Sequence, residues 1–380
     1  MQIAVPAETA PRETRVAIVP RSVTQLTAAG GAVSVQAGAG DAAGIPHTAY
    51  TEAGASIEAN RKQLLGGADL TIVVRRPEVA DLRLLNPGSV LVGMLDPGGD
   101  AEPLRVLIER KISAFRMEAM PRISRAQDMD VLSSMATIGG YEAAVIAADR
   151  LPRLFPLLMT AAGTITPARV LVIGAGVAGL QAIATCKRLG AVVEAYDVRP
   201  AVREQVESLG ARFVEVGIES AEHQDAGGYA KELTADAQER EHQVLGQHVR
   251  ESDVVITTAL IPGRPAPKLI TRDMVDGMRT GSVIVDLAAA GGGNCELTEA
   301  DEEVLERGVL ILGPTNLPGG VPGQASQLYS NNVTRFILQF LKDGKISLDF
   351  DDVVIAQTCI THDGEPVGDQ MQALLAGARA

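Results

Sequence analysis

One segment, residues 168–198, limits the folds open to this chain more than any other. It reads ARVLVIGAGVAGLQAIATCKRLGAVVEAYDV. An apolar run, Val170–Ile173, predicts a buried strand, the glycine-rich stretch that follows fits the pattern G-x-G-x-x-G, and the next residues favour a helix. A second apolar run ends at Asp197. Strand, glycine turn, helix and strand together predict a βαβ unit of a parallel sheet.

The spacing of the three glycines indicates a dinucleotide-binding turn. In that motif the first glycine, here Gly174, permits a tight turn, Gly176 lets the backbone approach a pyrophosphate, and Gly179 allows close packing of helix against strand. The N-terminus of the helix offers free N–H groups and the positive end of a dipole to the phosphates. The alternative is a glycine turn in an α/β sheet that binds nothing.

Asp197 indicates which dinucleotide the turn would take. Its carboxylate would accept hydrogen bonds from the adenosine ribose hydroxyls. A 2′-phosphate there would face a negative charge, so the sequence favours NAD(H) over NADP(H), although Arg199, two positions later, weakens this preference.

The rest of the chain repeats the alternation of strands and helices. The expected strands are Gln2–Val5, Ala32–Gln36, Leu70–Val74, Ser89–Met94 and Ser113–Phe115, then Ala211–Val216, Asp253–Thr257, Ser282–Leu287 and Val309–Leu312. Long helices are expected at 126–150 and 328–341. We therefore predict an α/β protein with two Rossmann-like domains, whose parallel sheets are joined by long helices, and with the nucleotide in the cleft between them. The expected N-terminal domain is discontinuous, 1–130 plus 320–380, and the nucleotide-binding domain is 131–319.

Composition excludes several other classes of protein. Hydrophobic residues make up 46% of the 380 residues and the net charge is −13, with 3% aromatic residues and no Trp. The chain therefore lacks the basic surface and the stacking side chains of a nucleic-acid binder. Three distant cysteines predict neither a disulfide framework nor a zinc site, and no metal is expected. The N-terminus lacks a signal-peptide pattern, and the longest apolar stretch is shorter than the ~20 residues that span a bilayer. A soluble chain is expected, which leaves docking onto a membrane partner open.

A polar segment lies just before the first long helix. It reads RISRAQDMD, from Arg122 to Asp130. A nicotinamide carboxamide needs one donor and one acceptor, and Gln127 offers both in one side chain. The alternative is that Asp128 or Asp130 stabilises the N-terminus of the helix by its charge.

Three loops are further candidates for contact with a ligand. TALIPGRP at 258–265 and AAAGGGN at 288–294 follow apolar strands and suit the close approach of a flat ring, or they are ordinary turns. QDAGGYAK at 224–231 is either a mobile lid that carries Tyr229 or a surface loop.

Several of these segments together resemble one family. RISRAQDMD, GAGVAGLQAIATCKRLGA, GGYAKE, TTALIPGRPAP and the VDLA that precedes GGGN are similar to the NAD(H)-binding component of proton-translocating nicotinamide nucleotide transhydrogenases, over nearly the whole chain. The resemblance implies direct hydride transfer between NADH and NADP⁺ that is bound to a partner component. It also implies a homodimer, an NADP(H)-binding partner, and a transmembrane partner that couples the transfer to proton translocation. The chain would then be cytoplasmic, and peripheral to the inner (plasma) membrane through these partners.

The resemblance also assigns residues to the nucleotide. Those at the nicotinamide and its ribose would be Arg122, Gln127, Asp130 and Ser133. Among the residues that bind the rest of NAD(H), the motif already indicates Gly174, Gly176 and Gly179. The resemblance adds Val177 at the pyrophosphate turn, Asp197, Val198 and Arg199 around the adenosine ribose, Gly228 and Tyr229 on a mobile loop, and Leu260 on the adenine side. Transfer between two nicotinamide rings moves only a hydride, so no general acid or base is expected among them.

Alanine dehydrogenases share the N-terminal pattern and are the alternative. Arg15 and Arg75 lie where the dehydrogenase holds its substrate carboxylate, but the position of its catalytic histidine is Asp96 and that of its active-site aspartate is Ala290. An amino-acid dehydrogenase moves protons as well as hydride and needs such groups. A third hypothesis is a binding module that responds to NAD without catalysis.

Overall fold

The computed structural model of the chain describes residues 1–216, 235–260 and 265–377, the side chains of 235–241 excepted. The chain divides into two compact units, Met1–Met135 with Pro318–Ala380, and Ala136–Leu317. Each unit is built around a sheet of its own.

The strands and helices alternate along most of the described chain. The strands are β1 Gln2–Val5, β2 Ala32–Gln36, β3 Ser56–Glu58, β4 Leu70–Arg75, β5 Val90–Met94, β6 Ser113–Arg116, β7 Leu158–Thr160, β8 Gly163–Ile165, β9 Arg169–Ile173, β10 Val192–Tyr196, β11 Arg212–Phe213, β12 Val254–Thr257, β13 Val283–Asp286, β14 Glu303–Glu306, β15 Val309–Leu312, β16 Leu341–Lys342, β17 Lys345–Ile346, β18 Cys359–His362 and β19 Glu365–Pro366. The α-helices are α1 Pro20–Ala28, α2 His47–Glu52, α3 Arg61–Gly66, α4 Val79–Leu82, α5 Glu102–Glu109, α6 Val131–Arg150, α7 Val177–Arg188, α8 Arg203–Ser208, α9 Ala235–Glu251, α10 Arg272–Asp276, α11 Pro322–Phe340, α12 Val353–Thr358 and α13 Asp369–Gly377. Short 3₁₀ helices span Asp41–Ala43, Met117–Ala119, Ser124–Met129, Pro200–Val202, Ala289–Gly291 and Leu317–Gly320.

The first unit contains an eight-stranded sheet in the order β19-β18-β6-β5-β4-β1-β2-β3. The strands from β3 to β6 run parallel, and β18 and β19 add an antiparallel edge. β18 comes from the C-terminal region of the chain, and its Cys359 lies opposite Phe115 of β6. Phe336 and Phe340 of α11 pack against the Phe115 ring at centroid distances of 5.6 and 5.7 Å, which holds this helix on the sheet.

The second unit contains a seven-stranded sheet in the order β11-β10-β9-β12-β13-β15-β14. Its strands are parallel except for β14 at one edge. Along β9, Val170 and Val172 pack into one apolar core while Leu171 and Ile173 pack into another. The sheet is covered on both faces, which explains why its strands are continuous apolar runs. Strand order reverses between β9 and β12, and ligands of such sheets bind at the carboxyl ends of the strands there. The parallel α/β architecture predicted from the sequence is confirmed.

Two helices begin at different residues from those predicted. The helix expected from residue 126 begins at Val131, because Asp130 is extended (φ −76°, ψ 94°) and Ser124–Met129 before it forms a 3₁₀ helix. The helix expected from residue 328 begins at Pro322, whose fixed φ suits the first turn of a helix.

Among the described residues, α6 is the one helix long and apolar enough to cross a membrane by length and composition. In its 18-residue window 44% of the residues are buried, and Ala143, Ala144 and Ala147 lie in the core of the second unit. A core helix meets the same criteria, so α6 is weak evidence for a membrane span.

Candidate functional site

The glycine turn, Gly174–Gly179, connects β9 to α7 at the carboxyl end of β9. Gly174 has a φ of 97°, and a Cβ there would lie 2.5 Å from Oγ1 of Thr258. A Cβ on Gly179 would lie 1.8 Å from the carbonyl oxygen of Gly174, so helix and strand approach more closely than a side chain permits. A Cβ on Gly176, in contrast, would meet nothing within 4 Å. The turn is therefore tightly packed at its two ends and open at its centre.

The open space beside Gly176 adjoins the N-terminus of α7. Gly176 caps this helix without a side-chain hydrogen bond, and the N–H groups of the first turn have no partner within the helix. Val177, the first residue of the helix, is 45% exposed. Accessible N–H donors and the positive end of the helix dipole are what a phosphate group requires, so these residues fit the pyrophosphate of a dinucleotide.

Asp197 follows β10 and lies beside the glycine turn. Its Oδ2 accepts hydrogen bonds from N of Ala175 at 2.7 Å and from Nη2 of Arg199 at 2.9 Å. Its Oδ1 accepts two more from Arg199, from the backbone N and from Nε, both at 2.9 Å. Hydrogen bonding to Asp197 raises the pKa of Arg199. The carboxylate predicted to bind the ribose is thus held by the guanidinium fork of Arg199.

A second loop reaches the glycine turn from the carboxyl end of β12. Thr258 donates its hydroxyl to the carbonyl of Gly174 at 3.0 Å. The next residue, Ala259, pairs with the buried amide of Asn294: N of Ala259 donates to Oδ1 at 3.0 Å, and Nδ2 donates to O of Ala259 at 2.9 Å. Nδ2 also donates to the carbonyl of Pro267 at 2.9 Å. One side chain therefore joins the two sides of the loop that begins after Ala259.

The other residues predicted for this region of the nucleotide are less constrained. Leu260 follows Ala259 and is half exposed, and Val198 packs partly buried against an apolar core. Gly228 and Tyr229 lie outside the described residues, as do residues 261–264 of the segment TALIPGRP. The sequence did not predict the roles of Thr258 and Asn294, because their partners come from strands that are distant along the chain.

The predicted nicotinamide residues lie in the first unit, on the segment before α6 and, for Ser133, in the first turn of α6. Arg122 and Gln127 are exposed. Asp130 caps α6, since its Oδ1 accepts a hydrogen bond from the backbone N of Ser133 at 2.9 Å and its Oδ2 accepts one from the Ser133 hydroxyl at 2.6 Å. Asp130 therefore has the helix-stabilising role that the sequence left open as an alternative, and it brings Ser133 into contact with its carboxylate.

Two contacts join the segment around Gln127 to C-terminal elements of the chain, one through backbone and one through side chains. Asn332 of α11 donates Nδ2 to the carbonyl of Asp128 at 2.8 Å, and Arg125 forms an ion pair with Asp352. Hydrogen bonding within this pair raises the pKa of Arg125 and lowers the pKa of Asp352. The backbone directly after Gln127 is held at Asp128 while the Gln127 side chain stays exposed, which suits a group that positions a ligand.

Glu13 binds the two arginines that an alanine dehydrogenase would use for its substrate. Its oxygens accept hydrogen bonds from Nε of Arg15 at 2.6 Å and Nη2 of Arg15 at 2.5 Å, and from Nε of Arg75 at 3.2 Å. Burial alone would raise the pKa of Glu13, but the hydrogen bonds and charge of Arg15 outweigh it and the pKa is lowered. Arg15 and Arg75 are therefore already paired with a carboxylate of the protein.

Glu8 is a further buried carboxyl group beside this cluster. Its two oxygens accept hydrogen bonds from the backbone N of Val74 at 2.6 Å and of Arg75 at 3.0 Å. Burial raises the pKa of Glu8 to about 7, against the opposing effect of these N–H groups. Glu8 and Glu13 were not predicted from the sequence, because only the parallel pairing of β1 with β4 brings the loop after β1 to the end of β4.

Two family models match consecutive regions of the chain. The model "Alanine dehydrogenase/PNT, N-terminal domain" matches residues 4–139, and "Alanine dehydrogenase/PNT, C-terminal domain" matches residues 143–368. The chain belongs to the alanine dehydrogenase/PNT family. The two matches together leave only short stretches of the chain uncovered.

Within this family the chain is similar to transhydrogenase subunits. The first of the polypeptides that make up NAD(P) transhydrogenase subunit alpha in Rhodospirillum rubrum is 47% identical over 372 residues, which cover 96% of this chain and 97% of that protein. NAD(P) transhydrogenase subunit alpha of Cereibacter sphaeroides is 45% identical over 368 residues, 96% of this chain and 70% of that protein. The crystal structure of transhydrogenase from Sinorhizobium meliloti superposes with a TM-score of 0.87 at 42% identity, covering 97% of this chain and 100% of that chain.

Similarity to alanine dehydrogenases is present but lower. Alanine dehydrogenase of Halomonas elongata is 31% identical over 374 residues, 96% of this chain and 94% of that protein. A solved L-alanine dehydrogenase superposes with a TM-score of 0.84 at 25% identity, covering 99% of both chains. The resemblance stated from RISRAQDMD and the other segments is confirmed, and so is the two-domain Rossmann-like fold.

Proposed function

We propose that this chain is the NAD(H)-binding subunit of a proton-translocating transhydrogenase. It binds NADH and positions it for direct hydride transfer to NADP⁺ on a partner component, while a membrane component couples the transfer to proton translocation. The observation that carries the proposal is the glycine turn, with open space beside Gly176 at the N-terminus of α7 and Asp197 next to it. Relatives named NAD(P) transhydrogenase subunit alpha, similar over nearly the whole chain, support it.

The second unit would hold the ADP half of the nucleotide. The pyrophosphate would lie against the backbone of Gly176 and Val177, and Gly176 has no Cβ to block its approach. Asp197, with Val198 and Arg199 beside it, would face the adenosine ribose, and the exposed side chain of Leu260 would cover the adenine. None of these contacts requires the transfer of a proton.

The first unit would supply the groups that orient the nicotinamide. The exposed amide of Gln127 matches the donor and acceptor of the carboxamide, and the hydrogen bond to the backbone of Asp128 next to it limits the movement of the ring. Arg122 and the bonded pair of Asp130 and Ser133 would contact the nicotinamide ribose. When bound, NADH supplies the hydride from C4 of its dihydronicotinamide ring. The contribution of the protein is then orientation, because transfer between two rings depends on near-attack geometry.

A homodimer belongs to the proposal, and the β7–β8 hairpin supports it. This hairpin forms a two-stranded sheet of its own, and every residue of both strands is exposed. Its surface carries Leu157, Leu158, Met159 and Ile165, which are 53%, 41%, 74% and 45% exposed. An isolated hairpin is marginally stable in water and leaves two strand edges unpaired. A second copy of the hairpin, with the same edges and the same apolar side chains, would satisfy both requirements.

Alanine dehydrogenase activity is the alternative, and the Glu13 cluster argues against it. A substrate carboxylate would have to share or replace the carboxylate of Glu13 on Arg15 and Arg75. Asp96, at the position of the catalytic histidine of the dehydrogenase, is exposed and accepts a hydrogen bond from its own loop, from N of Gly98 at 2.9 Å.

One assay separates these functions. Purified chain is mixed with NADH and an NADP⁺ analogue, with and without an NADP(H)-binding transhydrogenase component, and a second reaction contains NADH, pyruvate and ammonia without the partner. We expect hydride transfer only in the mixture with the partner. NADH oxidation by pyruvate and ammonia would establish the dehydrogenase instead. NADH binding with no transfer in either reaction would indicate a binding module.

A further inference from the structure

We infer that Arg199 competes with the nucleotide for Asp197, so that the adenosine ribose binds only when the Arg199 side chain is displaced. The inference rests on the proposed function, since it concerns the same nucleotide site. It deepens that function because it makes Arg199 a residue that lowers affinity for NADH and sets the preference between NADH and NADPH.

The carboxylate of Asp197 has no acceptor position left for a ribose hydroxyl. An ionised carboxylate offers about four lone-pair sites, two on each oxygen. Four N–H donors already lie within hydrogen-bond distance: Oδ1 accepts from N and Nε of Arg199, and Oδ2 accepts from Nη2 of Arg199 and N of Ala175, at 2.7–2.9 Å. The full acceptor capacity of the carboxylate is used within the protein. Ribose hydroxyls that donate to Asp197 must therefore replace existing donors.

Of the donors on Asp197, the guanidinium of Arg199 is the one that can leave. The N–H of Ala175 belongs to the glycine turn, where the packing of Gly174 and Gly179 fixes the backbone. The backbone N–H of Arg199 is only two residues from Asp197 in the chain, so it stays beside the carboxylate when the Arg199 side chain moves. Nε and Nη2 of Arg199 are on a side chain that is 19% exposed, whereas that of Asp197 is 6% exposed. The guanidinium is thus the outer member of the pair, and it is the group that a ligand from solvent would displace.

Arg199 also changes the charge that a 2′-phosphate would meet beside Asp197. While Arg199 is paired with Asp197, the negative charge that would repel a 2′-phosphate is neutralised by a bidentate guanidinium. A displaced guanidinium stays tethered two residues away, where it attracts the same phosphate. Arg199 therefore weakens the discrimination against NADPH that a bare aspartate would give. Its removal is expected to strengthen NADH binding and that discrimination together, whereas removal of a group with only a structural role would weaken binding.

The test is equilibrium binding of NADH and NADPH to the full chain and to Arg199→Ala, followed by nucleotide fluorescence or calorimetry. Arg199→Gln is a second neutral variant in case Arg199→Ala folds poorly. Arg212→Ala is the matched control, because Arg212 is an exposed arginine of the neighbouring strand β11, 3.5 Å from Glu194 rather than Asp197. Reduced nicotinamide mononucleotide, which lacks the adenosine, is the control ligand.

We expect Arg199→Ala to bind NADH about threefold tighter or more, and the ratio of the NADPH and NADH dissociation constants to rise about fivefold or more. Binding of the mononucleotide, and NADH binding by Arg212→Ala, should stay within about twofold of the parent chain. Weaker NADH binding by both Arg199 variants would overturn the inference and make Arg199 a direct support of the nucleotide. Unchanged NADH binding would also overturn it. If neither the parent chain nor the Arg199 variants bind any nicotinamide nucleotide, the proposed function itself fails.

Discussion

Gly179 lies so close to Gly174 that a Cβ on Gly179 would be 1.8 Å from the Gly174 carbonyl oxygen. Gly176, between them in the chain, faces open space instead. The two positions of one turn thus favour glycine for different reasons. At Gly179 the protein itself occupies the space, and at Gly176 the space is free for a ligand.

Alanine substitutions at these two glycines are expected to differ in their effect on stability. Gly179→Ala forces backbone apart and should lower the free energy of unfolding by about 1–3 kcal/mol or more, with loss of NADH binding. Gly176→Ala is compatible with φ −78° and should change the free energy of unfolding by less than about 1 kcal/mol, while its Cβ weakens NADH binding. Urea unfolding and NADH titration of both variants check this. Equal destabilisation by the two substitutions would contradict it.

Gln127→Asn is expected to slow hydride transfer strongly while NADH binding changes little. Asn keeps the amide group on a side chain that is one methylene shorter, so the nicotinamide ring is held in a displaced position. A displacement of about 1 Å from near-attack geometry costs up to about 100-fold in rate. The measurement is transfer to NADP⁺ on the partner component at saturating NADH, with the NADH dissociation constant determined separately. Ser124→Ala, at an exposed position of the same 3₁₀ helix, is the control. A large loss of binding with normal transfer at saturation would refute this role.

Asn294→Asp should displace the start of the loop after β12. Asp keeps the acceptor for N of Ala259 but places an oxygen opposite the carbonyls of Ala259 and Pro267, where Nδ2 now donates. We expect a loss of about 1–3 kcal/mol in the free energy of unfolding together with weaker NADH binding. Ser252→Ala is the control: it removes a buried hydrogen bond, to the carbonyl of His248 at 2.7 Å, at the opposite end of β12. Weaker NADH binding in both variants would show that the effect is general destabilisation.

Glu118 is expected to make stability depend on pH. Burial raises its pKa to about 7 from 4.5, and its Oε1 is buried without a hydrogen-bond partner among the described residues. The folded state therefore holds a proton that the unfolded chain releases, so the contribution to stability is complete below pH 4.5 and is lost as the pH rises to about 7. Glu118→Gln stays neutral, so its free energy of unfolding relative to the parent should increase between about pH 5 and about pH 8. Urea unfolding at both pH values measures this, and the exposed Glu109→Gln is the control that should show no such increase.

Met159→Asp is expected to dissociate the proposed homodimer. Met159 is 74% exposed on the β7–β8 hairpin, and a carboxylate there would be buried unpaired between two copies. Leu305→Asp is the matched control, since Leu305 is 71% exposed on the edge strand β14. Sedimentation equilibrium at micromolar protein should show a dimer for the parent chain and for Leu305→Asp, and a monomer for Met159→Asp. A monomeric parent chain would exclude the homodimer.

The prediction from sequence succeeded best where structure depends on neighbouring residues. The run Val170–Ile173, the glycines after it and the apolar run before Asp197 each follow a local rule, and β9, α7 and β10 lie where those rules place them. The helix start at Val131 was missed because capping by Asp130 depends on the geometry of one extended residue.

The sequence by itself determined the parallel α/β fold, the glycine turn and the acidic residue beside it, because apolar periodicity and the conformational freedom of glycine act over a few residues. Tertiary structure decided what those side chains contact. It placed the amide of Asn294 on Ala259, the carboxylate of Glu13 on Arg15 and Arg75, and all four acceptor positions of Asp197 within the protein. Most of these contacts join segments that only the pairing of strands distant in sequence brings together. Even where the partners are close in the chain, as in Asp197 and Arg199, the contact depends on side-chain directions that no local pattern encodes.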